Sequence, residues 1–161
     1  MPVVKHKVFA YITQADRLLV FSHPFHPEAG LQVPAGTLKD GERPEDGVMR
    51  EALEETGLAD LRLKTFLGEV ERDMSDFGLD EIHRRRFYHL RCHGHPPETW
   101  RHFERNPSDG TATPIAFDFF WARLPDGLPK LIGDHDAMIP RLLRILSAGL
   151  GIPPPSHKGT K

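Results

Sequence analysis

Residues 50–57 read REALEETG, and three glutamates, Glu51, Glu54 and Glu55, fall at helical spacing. Like charges at i,i+3 and i,i+4 repel, at about 0.2–0.5 kcal/mol per pair on an exposed helix. Two readings fit such crowding. It is either a solvated polar face or a site for a hard divalent cation, which takes several carboxylate oxygens at close range. Pro44 suits a first helical position, Glu45 and Asp46 suit a first turn, and Gly57 suits a left-handed stop. Together they predict a helix over 44–56. With Val48 set at zero, Met49, Ala52 and Leu53 join it in an apolar face centred at about 70°. The glutamates then fall at about 300°, 240° and 340°, on the other side. Gly47 lies in the middle of that acidic stripe and reads as room for something bulky to approach.

The flanking residues narrow the choice. Gly36 is followed by five residues and Glu42, then by seven residues and Arg50-Glu51-Ala52-Leu53-Glu54-Glu55-Thr56-Gly57-Leu58. This pattern resembles the Nudix box, with every fixed position filled between Gly36 and Leu58. The resemblance implies a Nudix hydrolase: an enzyme that cleaves the pyrophosphate of a nucleoside diphosphate linked to another moiety, by water attack on phosphorus. It implies Mg²⁺ as cofactor, with Mn²⁺ as a substitute. Carried over by position, Glu51, Glu54 and Glu55 are expected metal ligands, joined by a backbone carbonyl of Ala35 or Gly36. Glu51 or Glu54 would also orient the attacking water, Arg50 would hold the glutamates, and Glu42 would brace the loop. The alternative is a Nudix-fold module that binds a nucleotide as a sensor without catalysis.

The elements that must position these residues follow from pattern. Val8–Ile12 and Leu18–Phe21 read as strands joined by a polar turn, and Leu31–Val33 as a brief strand ended by Pro34. Leu61–Val70, Arg84–Cys92 and Pro114–Arg123 also have strand character. The stretch His93–Thr113, rich in Pro, Gly, Asp and Asn, reads as a long loop. Apolar residues from Met138 to Leu146 recur at helical spacing and predict a second helix over about 135–147. Strands, helix, strands, helix imply an α/β protein, and the resemblance specifies a Nudix-like α/β/α sandwich with a central mixed sheet. The expected organisation is one domain over 1–149 and a disordered tail over 150–161.

Composition excludes other classes. The chain has 161 residues and a formal net charge of −2, so no general attraction to nucleic acid is expected. One cysteine, Cys92, rules out an intrachain disulfide. The lack of a signal peptide and of a long apolar run points to a soluble cytoplasmic protein with no membrane partner. A homodimer is in keeping with the resemblance.

Substrate choice lies outside the box. The expected substrate is a small nucleotide pyrophosphate: a nucleoside triphosphate, a dinucleoside polyphosphate or a nucleotide sugar. The proline and tyrosine that mark some ADP-ribose and diadenosine polyphosphate hydrolases downstream of the box are absent. Glu98 and Glu104 are candidates for a further catalytic glutamate. Phe77 and Trp100 could stack on a base, and Arg84 and Arg86, on one strand face, could bind phosphates. The HLRCHGH segment fits no common structural zinc spacing.

Overall fold

The computed structural model describes residues 1–104 and 114–150. Seven strands and two helices follow in the order β1 (Val3–Gln14), β2 (Arg17–Ser22), β3 (Ala35–Thr37), α1 (Pro44–Thr56), β4 (Leu61–Asp73), β5 (Glu81–Cys92), β6 (Thr99–Glu104), β7 (Ile115–Arg123) and α2 (Ile139–Leu150). One mixed sheet contains all the strands in the order β4-β5-β1-β2-β7-β6, with β3 added beside β1. β1 and β5 run parallel and the other pairs are antiparallel.

Strand alternation puts successive β1 residues on opposite faces of the sheet. Val8, Ala10 and Ile12 enter one core with Val48 and Ala52 of α1. Phe9 and Tyr11 enter the other with Ile139, Leu142 and Leu146 of α2. The architecture is therefore an α/β/α sandwich, as the sequence predicts. Tyr11 fixes the α2 layer to the sheet: its hydroxyl donates to the His135 carbonyl at 2.6 Å and accepts from Met138 N at 3.1 Å. Among the described residues no helix is long and apolar enough to cross a membrane.

One edge of β1 is divided between two partners. Its C-terminal end pairs with β2 through Thr13↔Leu18, while its middle pairs with β3 through Lys7↔Thr37, Val8↔Gly36 and Phe9↔Ala35. The segment leading into β3 also bonds to both flanking strands, through Ala10 N to Pro34 O and Phe21 N to Gln32 O. β1 and β2 thus part, and the chain before α1 fills the gap. That pairing corrects the expected strand over Leu31–Val33: only Gln32 makes an isolated bridge there, and the strand itself begins after Pro34.

Helix α1 has the expected bounds, and Gly57 ends it at φ +75°. α2 begins at Ile139 rather than 135, because the residues before it form turns. The larger correction is β6, within the segment expected as loop. Trp100, His102 and Glu104 are partly buried while Thr99, Arg101 and Phe103 are exposed, an alternation that suits an edge strand despite the Pro- and Gly-rich flanks. Residues 105–113 of the expected loop and 151–161 of the expected tail lie outside the described residues.

His89 and His135 are buried in neutral form. His89 lies 2.7 Å from Thr13 Oγ1, and burial, then the charges of Arg91 and Lys64, push its pKa down to about 4. Burial pushes His135 down to about 3. Both folded values lie below the ordinary value of 6.5, so the stability they confer is complete above about pH 6.5 and is lost as pH falls toward the folded pKa. At about pH 5 each adds about 1.4 kcal/mol per pH unit to the slope of stability against pH. Urea denaturation between about pH 5 and pH 6 should show that slope reduced by one proton's worth in His89→Gln.

Candidate active site

α1 presents a different face from the one its apolar residues suggest. Val48 and Ala52 are buried, but so are Glu51 and Glu55, at 4% and 6% exposure, while Leu53 is 38% exposed. The expectation that all three glutamates lie away from the buried side is corrected here. The helix is rolled so that its acidic flank meets β3, and an apolar-face argument, which assumes that carboxylates seek water, misses this roll. Glu54, with its side chain about half exposed, alone keeps the expected position.

Glycine makes the close approach possible at two places. A Cβ on Gly36 would overlap the Glu51 carboxylate. A Cβ on Gly47 would strike Leu38 Cδ2 and come within 3.1 Å of Glu42 Oε1. The space expected beside Gly47 is thus filled by the protein's own loop.

Strand β6 completes the arrangement. Trp100 donates its indole N–H to the Thr56 carbonyl at 2.8 Å, and His102 Nε2 donates to the Glu54 carbonyl at 2.9 Å. These bonds satisfy acceptors at the C-terminal end of α1 that the helix itself leaves open. Two residues further along the same face comes Glu104. Carboxylate oxygens of Glu51, Glu55 and Glu104 lie within 4.8 Å of one another. Among the described residues this is the one group of three or more His, Cys, Asp or Glu side chains close enough to share an ion. The HLRCHGH segment makes no such group, since alternation along β5 sends His89 and Cys92 to opposite faces.

The electrostatics carry the marks of a cation site. Burial, then the charges of Glu51 and Glu104, push Glu55 well above the ordinary carboxylate range. Burial also raises Glu51, against the lowering effect of Arg50. Ala35 N–H donates to Glu55 Oε1 at 3.2 Å. Arg50 grips Glu42 with Nε at 2.8 Å and Nη2 at 2.9 Å, and its Nη1 reaches Glu51 at 2.9 Å and Glu54 at 3.4 Å. Through this pairing Arg50 holds Glu42 down to about 2. Arg50 therefore ties the loop to the helix. An all-oxygen set of this kind fits a hard divalent cation such as Mg²⁺ or Mn²⁺.

The cluster opens on a cleft of about 440 Å³ lined by Thr37, Lys39, Arg50, Glu51, Glu54 and Glu104. Other residues singled out from the sequence lie elsewhere. Glu98 is exposed and pairs with Arg17 at 2.7 Å. Arg84 pairs with Glu71 and Arg86 with Glu69, on the β4–β5 surface. Trp100 stacks on Phe119 at 5.0 Å and is used in packing. Phe77 lines a second cavity, on the α2 side of the sheet. Sequence reasoning missed Lys7, whose Nζ donates to Thr37 Oγ1 at 2.7 Å at the edge of the cleft. It also missed His102, which the period-two pattern Trp100, His102, Glu104 could have revealed.

A Gly36→Ala substitution should push the Glu51 carboxylate out of place and weaken Mg²⁺ binding at least tenfold. Calorimetric titration checks this, and circular dichroism should show the fold retained.

A family model described as NUDIX domain matches residues 5–141. Solved structures agree on the fold. A structure of UDP-X diphosphatase matches with TM-score 0.62 and 17% identity over 92% of this chain, which spans 66% of that one. The NUDIX domain of Shewanella oneidensis NrtR, crystallised with ADP ribose, matches with TM-score 0.65 and 18% identity over 91% of this chain and 90% of that one. A MutT NUDIX hydrolase from Burkholderia pseudomallei matches with TM-score 0.57 and 24% identity over 86% and 95%.

Proposed function

The chain belongs to the NUDIX domain family, and from that premise we propose that it is a cytoplasmic, metal-dependent hydrolase of nucleotide pyrophosphates. The substrate class is a nucleoside diphosphate linked to a further phosphate, nucleotide or sugar. The observation that carries this reading is the meeting of Glu51, Glu55 and Glu104 beside the glycine backbone of β3. A diphosphatase and an ADP ribose complex among the structural neighbours are in keeping with the class.

In this reading Glu51, Glu55 and Glu104 hold Mg²⁺, or Mn²⁺ in its place, with a carbonyl of Ala35 or Gly36 as a further oxygen. When bound, the ion supplies charge neutralisation on phosphoryl oxygens and acidifies water. The remaining work belongs to the chain. Glu54 stands at the open rim of the cleft, where its carboxylate can accept a proton from water as the water oxygen adds to phosphorus. The bridging P–O bond breaks and its electron pair leaves with the departing phosphate. Lys39, on the cleft wall, offers an ammonium to the phosphate oxygens. Arg50 is a positioning residue: it holds Glu51 and Glu54 against their mutual repulsion while Glu42 fixes Arg50.

A panel of nucleoside triphosphates, dinucleoside polyphosphates and nucleotide sugars, tested with Mg²⁺ and Mn²⁺, examines the proposal. At least one panel member should be hydrolysed only with metal. Arg50→Ala should lower kcat by about 10–100-fold, and Glu55→Gln and Glu104→Gln should lower it further. Full activity in the Glu55→Gln variant would sink the site assignment. Tight binding without turnover across the panel would favour a sensor module.

A further inference from the structure

Strand β6 stands at one end of the sheet and, among the described residues, pairs with β7 on one side. That pairing fixes its register, from Thr99↔Phe120 to Glu104↔Ile115. It does not fix how closely the strand lies against α1, because an edge strand is held by the ladder along one side only. The Glu104 end meets opposition there. The charge of Glu104 is among the effects that raise Glu55, so the three carboxyl groups resist being brought within 4.8 Å until a cation joins them.

Two side chains on the same face of β6 reach α1 ahead of Glu104. Trp100 meets the Thr56 carbonyl, His102 meets the Glu54 carbonyl, and Glu104 then comes beside Glu51 and Glu55. Trp100 has a second anchor in its stack on Phe119 at 5.0 Å. Glu104 lies twice as far along the strand from that anchor as His102, so a swing of the strand at residue 102 is about doubled at Glu104. Control at residue 102 is therefore control of the third carboxylate.

His102 has a seat shaped for it. A Cβ on Gly57 would meet His102 Nδ1 at 2.7 Å and Cε1 at 2.9 Å. The glycine that stops α1 at φ +75° thus also admits the imidazole over the helix end. The acceptor is equally specific. Gly57 N–H takes the Leu53 carbonyl at 3.1 Å, and the Glu54 carbonyl is another of the last four that the helix itself leaves open. A bond donated by Nε2 places the proton of the neutral ring on that nitrogen.

We propose that His102 is a positioning residue of the metal site: seated over Gly57 and bonded to the Glu54 carbonyl, it holds the end of β6 so that Glu104 meets Glu51 and Glu55. The proposal rests on the reading of these glutamates as ligands of a divalent cation, and it adds the residue that sets the third of them.

Mn²⁺ affinity, measured by calorimetric titration of the full chain, tests it through a double-mutant cycle. His102→Ala and Glu104→Gln should each weaken Mn²⁺ binding about tenfold or more. Adding His102→Ala to Glu104→Gln should cost less than about twofold further, because His102 acts through Glu104. His102→Gln, whose amide can donate to the same carbonyl, should bind within about threefold of wild type. His102→Leu, which keeps bulk over Gly57 and loses the donor, replaces the alanine variant if circular dichroism shows that one unfolded. Wild-type affinity in the variant without the donor, beside a weakened Glu104→Gln, would overturn this proposal and leave the metal reading standing. Losses that multiply in the double variant would also overturn it, since His102 would then act apart from Glu104. No Mn²⁺ binding by wild type, or full affinity in Glu104→Gln, would overturn the metal reading and this proposal with it.

Discussion

Carboxylates buried against one another set the terms for this structure. Glu51 and Glu55 lie almost out of water, and Glu104 is brought to meet them. Such a group resists ionisation, and the helix that carries it would relax by rolling its charges outward. The fold blocks that roll. Val48 and Ala52 are locked into the core beneath, β6 is bonded to the helix end through Trp100 and His102, and Arg50 is clamped to Glu42 on the loop. Each of these contacts is ordinary by itself. Their common effect is to hold three carboxyl groups together where a bound cation would favour their ionised form.

The sheet serves both layers at once. Its α1 face supplies the floor of the acidic cluster, while its α2 face supplies the Phe9–Phe87 stack and the wall that carries Arg85. Where β1 and β2 part, β3 fills the gap. Lys7 belongs to that junction: its backbone pairs with Thr37 and its side chain bonds to the same residue.

Much of this was legible in the sequence. Proline, acidic first turn and glycine stop marked α1 to the residue, because end signals act locally. The box residues marked the acidic loop and helix, because the fixed spacing reflects one loop geometry. The burial of Glu51 and Glu55 was not legible, since residue type alone assigns carboxylates to solvent and only tertiary contacts reverse that. Strand β6 was hidden because its partner β7 follows residues whose composition reads as loop. Glu104 stood beside Glu98 as an equal candidate. What separates them is an alternation along β6 that turns Glu104 toward α1, while Glu98, before the strand, pairs with Arg17.

The divided edge of β1 has a consequence for how the protein can vary. From Val3↔Glu81 to Thr13↔Arg91 the strand is held in one register with β5, and over Lys7–Phe9 it is held in another with β3. One residue inserted between Lys7 and Phe9 would invert the strand faces on one side of the insertion. Lys7 would leave the junction, or Phe9 would leave Arg85, and Gly36 would lose its place beside Val8. The β3 backbone beside the acidic cluster and the Phe9–Arg85 contact are therefore tied to a single three-residue stretch. A change in length is better borne in the connections than within that stretch.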